Sequence, residues 1–207
     1  MSEKQTIRQG YDELAETYAS RRSVDERELR ILTTFLNSLL EPHRILDAGC
    51  GQGTPVLSRL CKEATAIGLD FSQEQLRIAA DTVPTARLVH GDMMTLPFRD
   101  DVFDAITAYD SLIHLPLSDY QTAIEEFSRV LCPGGRVLLS EAPEEFERTN
   151  SNWLDSNVEM RWSMAGAQAT RTQLQNAGFT VVNEWDAPDR DDGDDPKPPF
   201  FAARLVA

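Results

Sequence analysis

Residues 44–53 read Arg-Ile-Leu-Asp-Ala-Gly-Cys-Gly-Gln-Gly, an apolar run entering a turn with glycine at every second position. Seventeen residues past Gly53 another apolar run ends at Asp70. Glycines spaced in this way let the backbone take positive φ angles and let a ligand approach where a Cβ would block it. Thr54 and Pro55 open a helical stretch over 56–61, with Thr54 read as the N-cap and Pro55 as the first helical residue. The pattern is a strand, a tight turn and a helix N-terminus whose free N–H groups favour an anion. An acid at the tip of the next strand, Asp70, is placed to take a ribose diol. Together these features predict a site for a nucleoside-containing cofactor.

Spacing narrows the choice of cofactor. A dinucleotide fingerprint, G-x-G-x-x-G/A, needs its third small residue at position 54, where threonine stands. The segment reads instead D-x-G-x-G-x-G from Asp47 through Gly49, Gly51 and Gly53, and this resembles the first motif of class I S-adenosylmethionine-dependent methyltransferases. Residues 64–72 (ATAIGLDFS), 90–94 (HGDMM), 103–116 (FDAITAYDSLIHLP) and 131–139 (LCPGGRVLL) resemble further motifs of that family in the same order. By that resemblance Asp47, Ala48, Gly49, Gly51 and Gly53 surround the methionine and ribose moieties, Asp70 binds the ribose hydroxyls and Phe71 packs on the adenine. Asp92 would face the exocyclic amine, Met93 would give a backbone contact, and Tyr109 would stand beside the methionine end. The resemblance covers roughly residues 40–142 and implies S-adenosyl-L-methionine as cofactor and S-adenosyl-L-homocysteine as product.

Two segments outside these motifs are candidates for the rest of the pocket. Residues 7–21 read as one amphipathic helix similar to the Y-D-x-x-A-x-x-Y lid of many small-molecule methyltransferases. That resemblance has Tyr11 and Tyr18 close over the cofactor and Arg21 reach its carboxylate; the residues alone also allow two tyrosines on one packed helix face. The stretch 143–165 reads as an irregular insertion on the acceptor side, whose Trp153, Met160, Trp162 and Met164 form either an apolar acceptor pocket or core.

Composition bounds the remaining classes. A chain of 207 residues fits one domain. No apolar run approaches the ~20 residues of a membrane helix and the N-terminus lacks the apolar stretch of a signal peptide, so a soluble cytoplasmic protein away from the membrane is expected. Cys50, Cys61 and Cys132 form no C-x-x-C pair, so neither zinc nor a disulfide framework is expected, and no metal site is read from His43, His90 and His114. A net charge of -14 opposes a nucleic-acid partner. Three lysines stand against seventeen arginines, with acids along the whole length and concentrated over 186–195. That balance resembles proteins of salt-loving microorganisms, while an ordinary acidic protein with an acidic loop is the alternative. No tyrosine has a lysine four residues on and there is no G-x-x-x-x-G-K, against a short-chain reductase and a nucleoside triphosphatase respectively.

Apolar strands at 44–49, 64–70, 86–90, 103–109 and 136–141 alternate with helical patterns, the signature of parallel β/α units. The expected fold is an α/β, Rossmann-like, open doubly wound sheet of seven strands, mostly parallel with an antiparallel last strand, and helices on both faces. Within one domain the divisions are a helical lid at 1–40, a cofactor-binding core at 41–142, an acceptor-side insertion at 143–165, and a closing helix and strand pair at 166–207. The implied chemistry is in-line methyl transfer to an O, N, S or C atom of a small molecule, with a non-catalytic S-adenosylmethionine-binding module as the alternative. His114, just after the fourth strand, and Asp110 are the candidate general bases. The acceptor and the oligomeric state are left open. Residues 108–111 (AYDS) depart from the Asn/Asp-Pro-Pro-Tyr/Phe pattern of enzymes that methylate the amino groups of bases.

Overall fold

A computed structural model describes residues 3–22, 25–186 and 198–206. Most of the acidic loop read from the sequence, 187–197, lies outside the described residues. The chain begins with helices α1 (Glu3–Glu13), α2 (Ala15–Arg21) and α3 (Glu26–Asn37). It then alternates β1 (Arg44–Ala48), α4 (Val56–Leu60), β2 (Thr65–Asp70), α5 (Gln73–Thr82) and β3 (Arg87–His90). After β4 (Phe103–Ala108) come α6 (Tyr120–Val130) and β5 (Leu131–Ser140). A hairpin of β6 (Phe146–Trp153) and β7 (Val158–Met164) precedes α7 (Ala167–Asn176), β8 (Phe179–Trp185) and β9 (Phe200–Leu205).

One seven-stranded sheet has the order β3-β2-β1-β4-β5-β9-β8. β1, β2, β3, β4 and β5 pair in parallel, and β9 runs antiparallel to both of its neighbours. Side chains alternate across it with period two. Leu46, Ile106 and Val137 join one apolar layer with Phe127 of α6 and Leu174 of α7. Ile45, Ala105 and Leu138 join the opposite layer with Phe35 of α3 and Leu57 of α4. The sheet is therefore covered on both faces. The helical spacing of Tyr120, Ala123, Ile124, Phe127 and Val130 puts all five on the buried face of α6, and Leu131, also buried, opens β5. Full burial of a side chain such as Phe127 contributes ~1.5–3 kcal/mol.

Strand order reverses between β1 and β4, and in open α/β sheets ligands bind outside the carboxyl ends of the strands at such a switch point. The glycine turn follows β1 there, and residues 109–111 follow β4.

Three local expectations are corrected. Residues 7–21 form two helices, because Leu14 leaves the helical conformation with ψ 18°. The stretch 143–165 is an antiparallel hairpin, with Phe146 opposite Met164 and Trp153 opposite Val158. Helix α4 begins at Val56 with Pro55 as its N-cap, so Thr54 caps nothing and Pro55 stands before the first helical residue.

Candidate functional site

β1 delivers Asp47, buried, near the carboxyl end of the sheet, where Thr107 Oγ1 of β4 donates to its Oδ1 at 2.8 Å. Its other oxygen, Oδ2, is buried without a partner. Burial raises the Asp47 carboxyl to about 7, and the hydrogen bond from Thr107 only partly opposes this. Ala48 is fully buried in the core and does not reach the cleft.

Two glycines of the turn have distinct reasons to lack a side chain. Gly49, at φ 82°, lies against Ser111, and a Cβ there would come within 2.3 Å of the Ser111 Cβ. At Gly51, with φ 51°, a Cβ would meet only Gln75 Oε1, at an ordinary contact distance of 3.6 Å, so its bare face is uncrowded toward the cleft. Gly53 turns instead toward Val83 and Ala79 beside α5.

Asp70 at the end of β2 ties this turn down. Its Oδ2 accepts from the Gly51 N–H at 2.8 Å and its Oδ1 from the Ser72 N–H at 2.9 Å. A carboxylate oxygen accepts more than one hydrogen bond, so capacity remains for a ligand. Burial again dominates and raises this carboxyl to about 6. Next to it, Ser72 caps α5 by accepting from the Gln75 N–H.

These groups line one cleft with an empty volume, open mouth included, of about 890 Å³, within the usual range of ligand sites. The structure brings together there Tyr11, Tyr18, Asp47, Gly49, Gly51, Asp70, Phe71, Asp92, Met93, Tyr109, Asp110 and His114 from the sequence reading. Ala48, Gly53 and Arg21 are the exceptions, and Arg21 pairs outside the cleft with Asp155. The arginine in the cleft is Arg22, whose guanidinium donates to the Tyr18 hydroxyl at 2.8 Å and to Asp110 Oδ2 at 3.2 Å. Lys4, Gln75 and Ser111 also line the cleft, and sequence reading singled out none of them.

Helices α1 and α2 form the roof, against which the hairpin packs. Tyr11 is its hub, with ring centroids 5.0 Å from Trp153, 5.1 Å from His114, 5.3 Å from Tyr18 and 6.1 Å from Phe71. Ile7, Leu14, Trp153 and Met160 pack beneath it as an apolar cluster. None of the four hairpin residues read as an acceptor pocket or core lines the cleft; Met160 is fully buried in that cluster. Polar anchors complete the closure. Asp12 Oδ1 accepts from Ser72 Oγ at 2.6 Å and from the Glu74 N–H at 3.3 Å, and Lys4 pairs with Asp92.

Both base candidates are engaged within the protein. The Arg161 carbonyl, 2.9 Å from His114 Nδ1, can only accept, so Nδ1 carries the proton. His114 Nε2 is therefore the acceptor and takes the Tyr11 O–H at 2.7 Å. Burial lowers this imidazole to about 4. Asp110 is held at φ 47°, a left-handed conformation that aspartate tolerates, with Oδ1 accepting from Ser140 Oγ and Oδ2 facing Arg22. Tyr109 donates its hydroxyl to the Glu28 carbonyl at 3.3 Å.

Comparison with known proteins agrees with this geometry. Residues 45–135 match the methyltransferase domain family. Over 157 residues the chain is 33% identical to demethylmenaquinone methyltransferase of Bacillus licheniformis, covering 70% of this chain and 67% of that one. Over 106 residues it is 40% identical to methyltransferase GfsG of Streptomyces halstedii, covering 48% of this chain and 37% of that one. The chain thus spans two thirds of the first relative and little more than a third of the second. In three dimensions it resembles N-methyltransferase NodS of Bradyrhizobium japonicum, solved with S-adenosyl-l-homocysteine. That match has a TM-score of 0.72 and 19% identity, over 97% of this chain and 98% of that one.

Proposed function

Because the chain belongs to the class I S-adenosylmethionine-dependent methyltransferases, we propose that its cleft holds S-adenosylmethionine and that it transfers a methyl group to a small-molecule acceptor. The observation that carries this reading is the open face of Gly51 beside two buried carboxylates, Asp47 and Asp70, that keep unused acceptor capacity. A polar ligand with hydroxyl and ammonium groups satisfies such atoms, whereas a closed core would leave them orphaned.

When bound, the cofactor supplies a methyl group activated on a sulfonium. The protein binds, orients and excludes water. In this reading Asp70 takes the ribose hydroxyls, Phe71 covers the adenine, and Asp92 and Met93 take its edge, Asp92 exchanging its Lys4 contact for the exocyclic amine. Asp47, with Gly49, faces the amino-acid end. Arg22, in place of Arg21, holds the carboxylate there. Tyr11, Tyr18 and Trp153 keep water from the reacting centre. The name of the Bacillus relative supports demethylmenaquinone, or an aromatic acceptor like it, as the first molecule to try beneath a roof of rings.

A second reading has its own observation. The His114 lone pair and both oxygens of Asp110 are already engaged, as expected of a module that binds the cofactor without transferring its methyl group. Incubation with methyl-labelled S-adenosylmethionine and a panel of reduced quinones, phenols and amines separates the two. Label in an extracted product, lost in Asp70→Ala, supports the enzyme. Binding of the cofactor with no transfer to any acceptor supports the module. The lysine-poor acidic composition supports one further part of the proposal, a protein adapted to concentrated salt.

A further inference from the structure

Gln75 stands in the first turn of α5 and is 1% exposed, yet neither polar atom of its side-chain amide has a hydrogen-bond partner. A buried amide left in that state destabilises the fold, and native chains rarely keep one without a use. Its surroundings identify the use. Gln75 lines the cleft, and its amide lies against the bare face of Gly51, the residue whose N–H is held by Asp70. Its own N–H donates to Ser72 Oγ, and the Ser72 N–H donates to Asp70. Gln75 and Asp70 therefore converge on one point of the glycine turn.

Their chemistry differs. An ionised carboxylate only accepts, whereas a carboxamide accepts through its oxygen and donates through its nitrogen. A hydroxyl also does both. We infer that Gln75 is a second reader of the cofactor sugar, pairing with one ribose hydroxyl while Asp70 accepts from the diol, so that the two side chains make the site selective for an intact ribose. This rests on the proposed binding of S-adenosylmethionine and adds a residue to it.

The test compares wild type with Gln75→Met, which keeps the volume and removes both polar atoms, and with Gln75→Leu as a second variant. Binding of S-adenosylhomocysteine and of its 2′-deoxy and 3′-deoxy analogues is measured by calorimetry. The expected loss for S-adenosylhomocysteine is roughly tenfold in Kd. With one of the two deoxy analogues, wild type and variants should bind within about twofold of each other. Without ligand the variants should melt higher than wild type, because an orphaned polar group has been removed. Equal binding of S-adenosylhomocysteine by wild type and both variants would overturn the inference. So would a loss of the same size for all three ligands. Failure of folded wild type to bind S-adenosylhomocysteine would instead overturn the underlying reading of the cleft.

Discussion

Asp47 shows how a single buried atom links stability to binding. Its carboxyl titrates near 7 and that of Asp70 near 6 in the folded chain, both well above the usual carboxylate value near 4. A group raised in this way stabilises the fold below its unfolded pKa, and that contribution is lost as pH rises through the folded value. These two carboxyls should therefore take stability away from the unliganded protein as pH rises between about pH 4 and pH 7. Asp47→Asn removes the Asp47 share. Its melting temperature should exceed that of wild type by roughly 3–8 °C at pH 8 and match it at pH 4, while its affinity for S-adenosylhomocysteine falls. Equal melting at both pH values would return Asp47 to an ordinary core position. His114 has the opposite sign. Lowered to about 4, it stabilises the fold above its unfolded pKa of about 6.5, and this is lost as pH falls from there toward 4. The melting temperature of His114→Gln relative to wild type should therefore rise as pH falls from about 6.5 toward 4. Asp47 and Asp70 were legible because glycine spacing and strand ends mark them. Arg22 was not, because α2 ends at Arg21 and Arg22 turns to extended backbone with ψ 118°, so helical phase cannot place its side chain. Gln75 and Ser111 are distinguished only by missing partners, a property of the packed structure that no sequence pattern carries.

The lid helices and the hairpin are the elements that turn an open sheet edge into a covered cleft. Asp12 fastens α1 to the start of α5 through Ser72 and Glu74. Asp12→Ala should cost ~1–2 kcal/mol and speed proteolysis within 3–22, and bound S-adenosylhomocysteine should slow that cleavage again. Cleavage unchanged from wild type would mean that the aromatic contacts alone hold the lid. On the hairpin, Trp153→Ala removes a nearly buried ring touching both tyrosines and should cost ~3–5 kcal/mol. The resemblance of the Y-D-x-x-A-x-x-Y run pointed Tyr11 and Tyr18 to the cleft that both line, although not to the break at Leu14. The hairpin was hidden because β6 (FERTNSNW) buries only Trp153 and so lacks the alternation of a half-buried strand. Its turn, at Leu154, Asp155 and Asn157, has three residues at positive φ without a glycine to announce it.

Across the chain, the parallel β/α alternation was legible in short apolar runs separated by helical patterns. The antiparallel last strand was expected from the family resemblance, and the strand order itself comes from the structure, because pairing between distant runs leaves no local pattern. Net charge acts at the same level. With a charge of -14, repulsion among surface acids should outweigh exposed ion pairs such as Arg129 with Asp100. Raising potassium chloride from ~0.1 M to ~1 M shortens the screening length from ~10 Å to ~3 Å and should raise the melting temperature; a fall would show that ion pairs prevail. What the cleft binds decides the function of the whole molecule. Calorimetric titration of wild type in ~1 M potassium chloride with S-adenosylhomocysteine, and separately with NADH, addresses that directly. One-site micromolar binding of the first and none of the second is the outcome expected from the glycine turn, Asp70 and Arg22. A folded protein that bound NADH, or neither ligand, would contradict it.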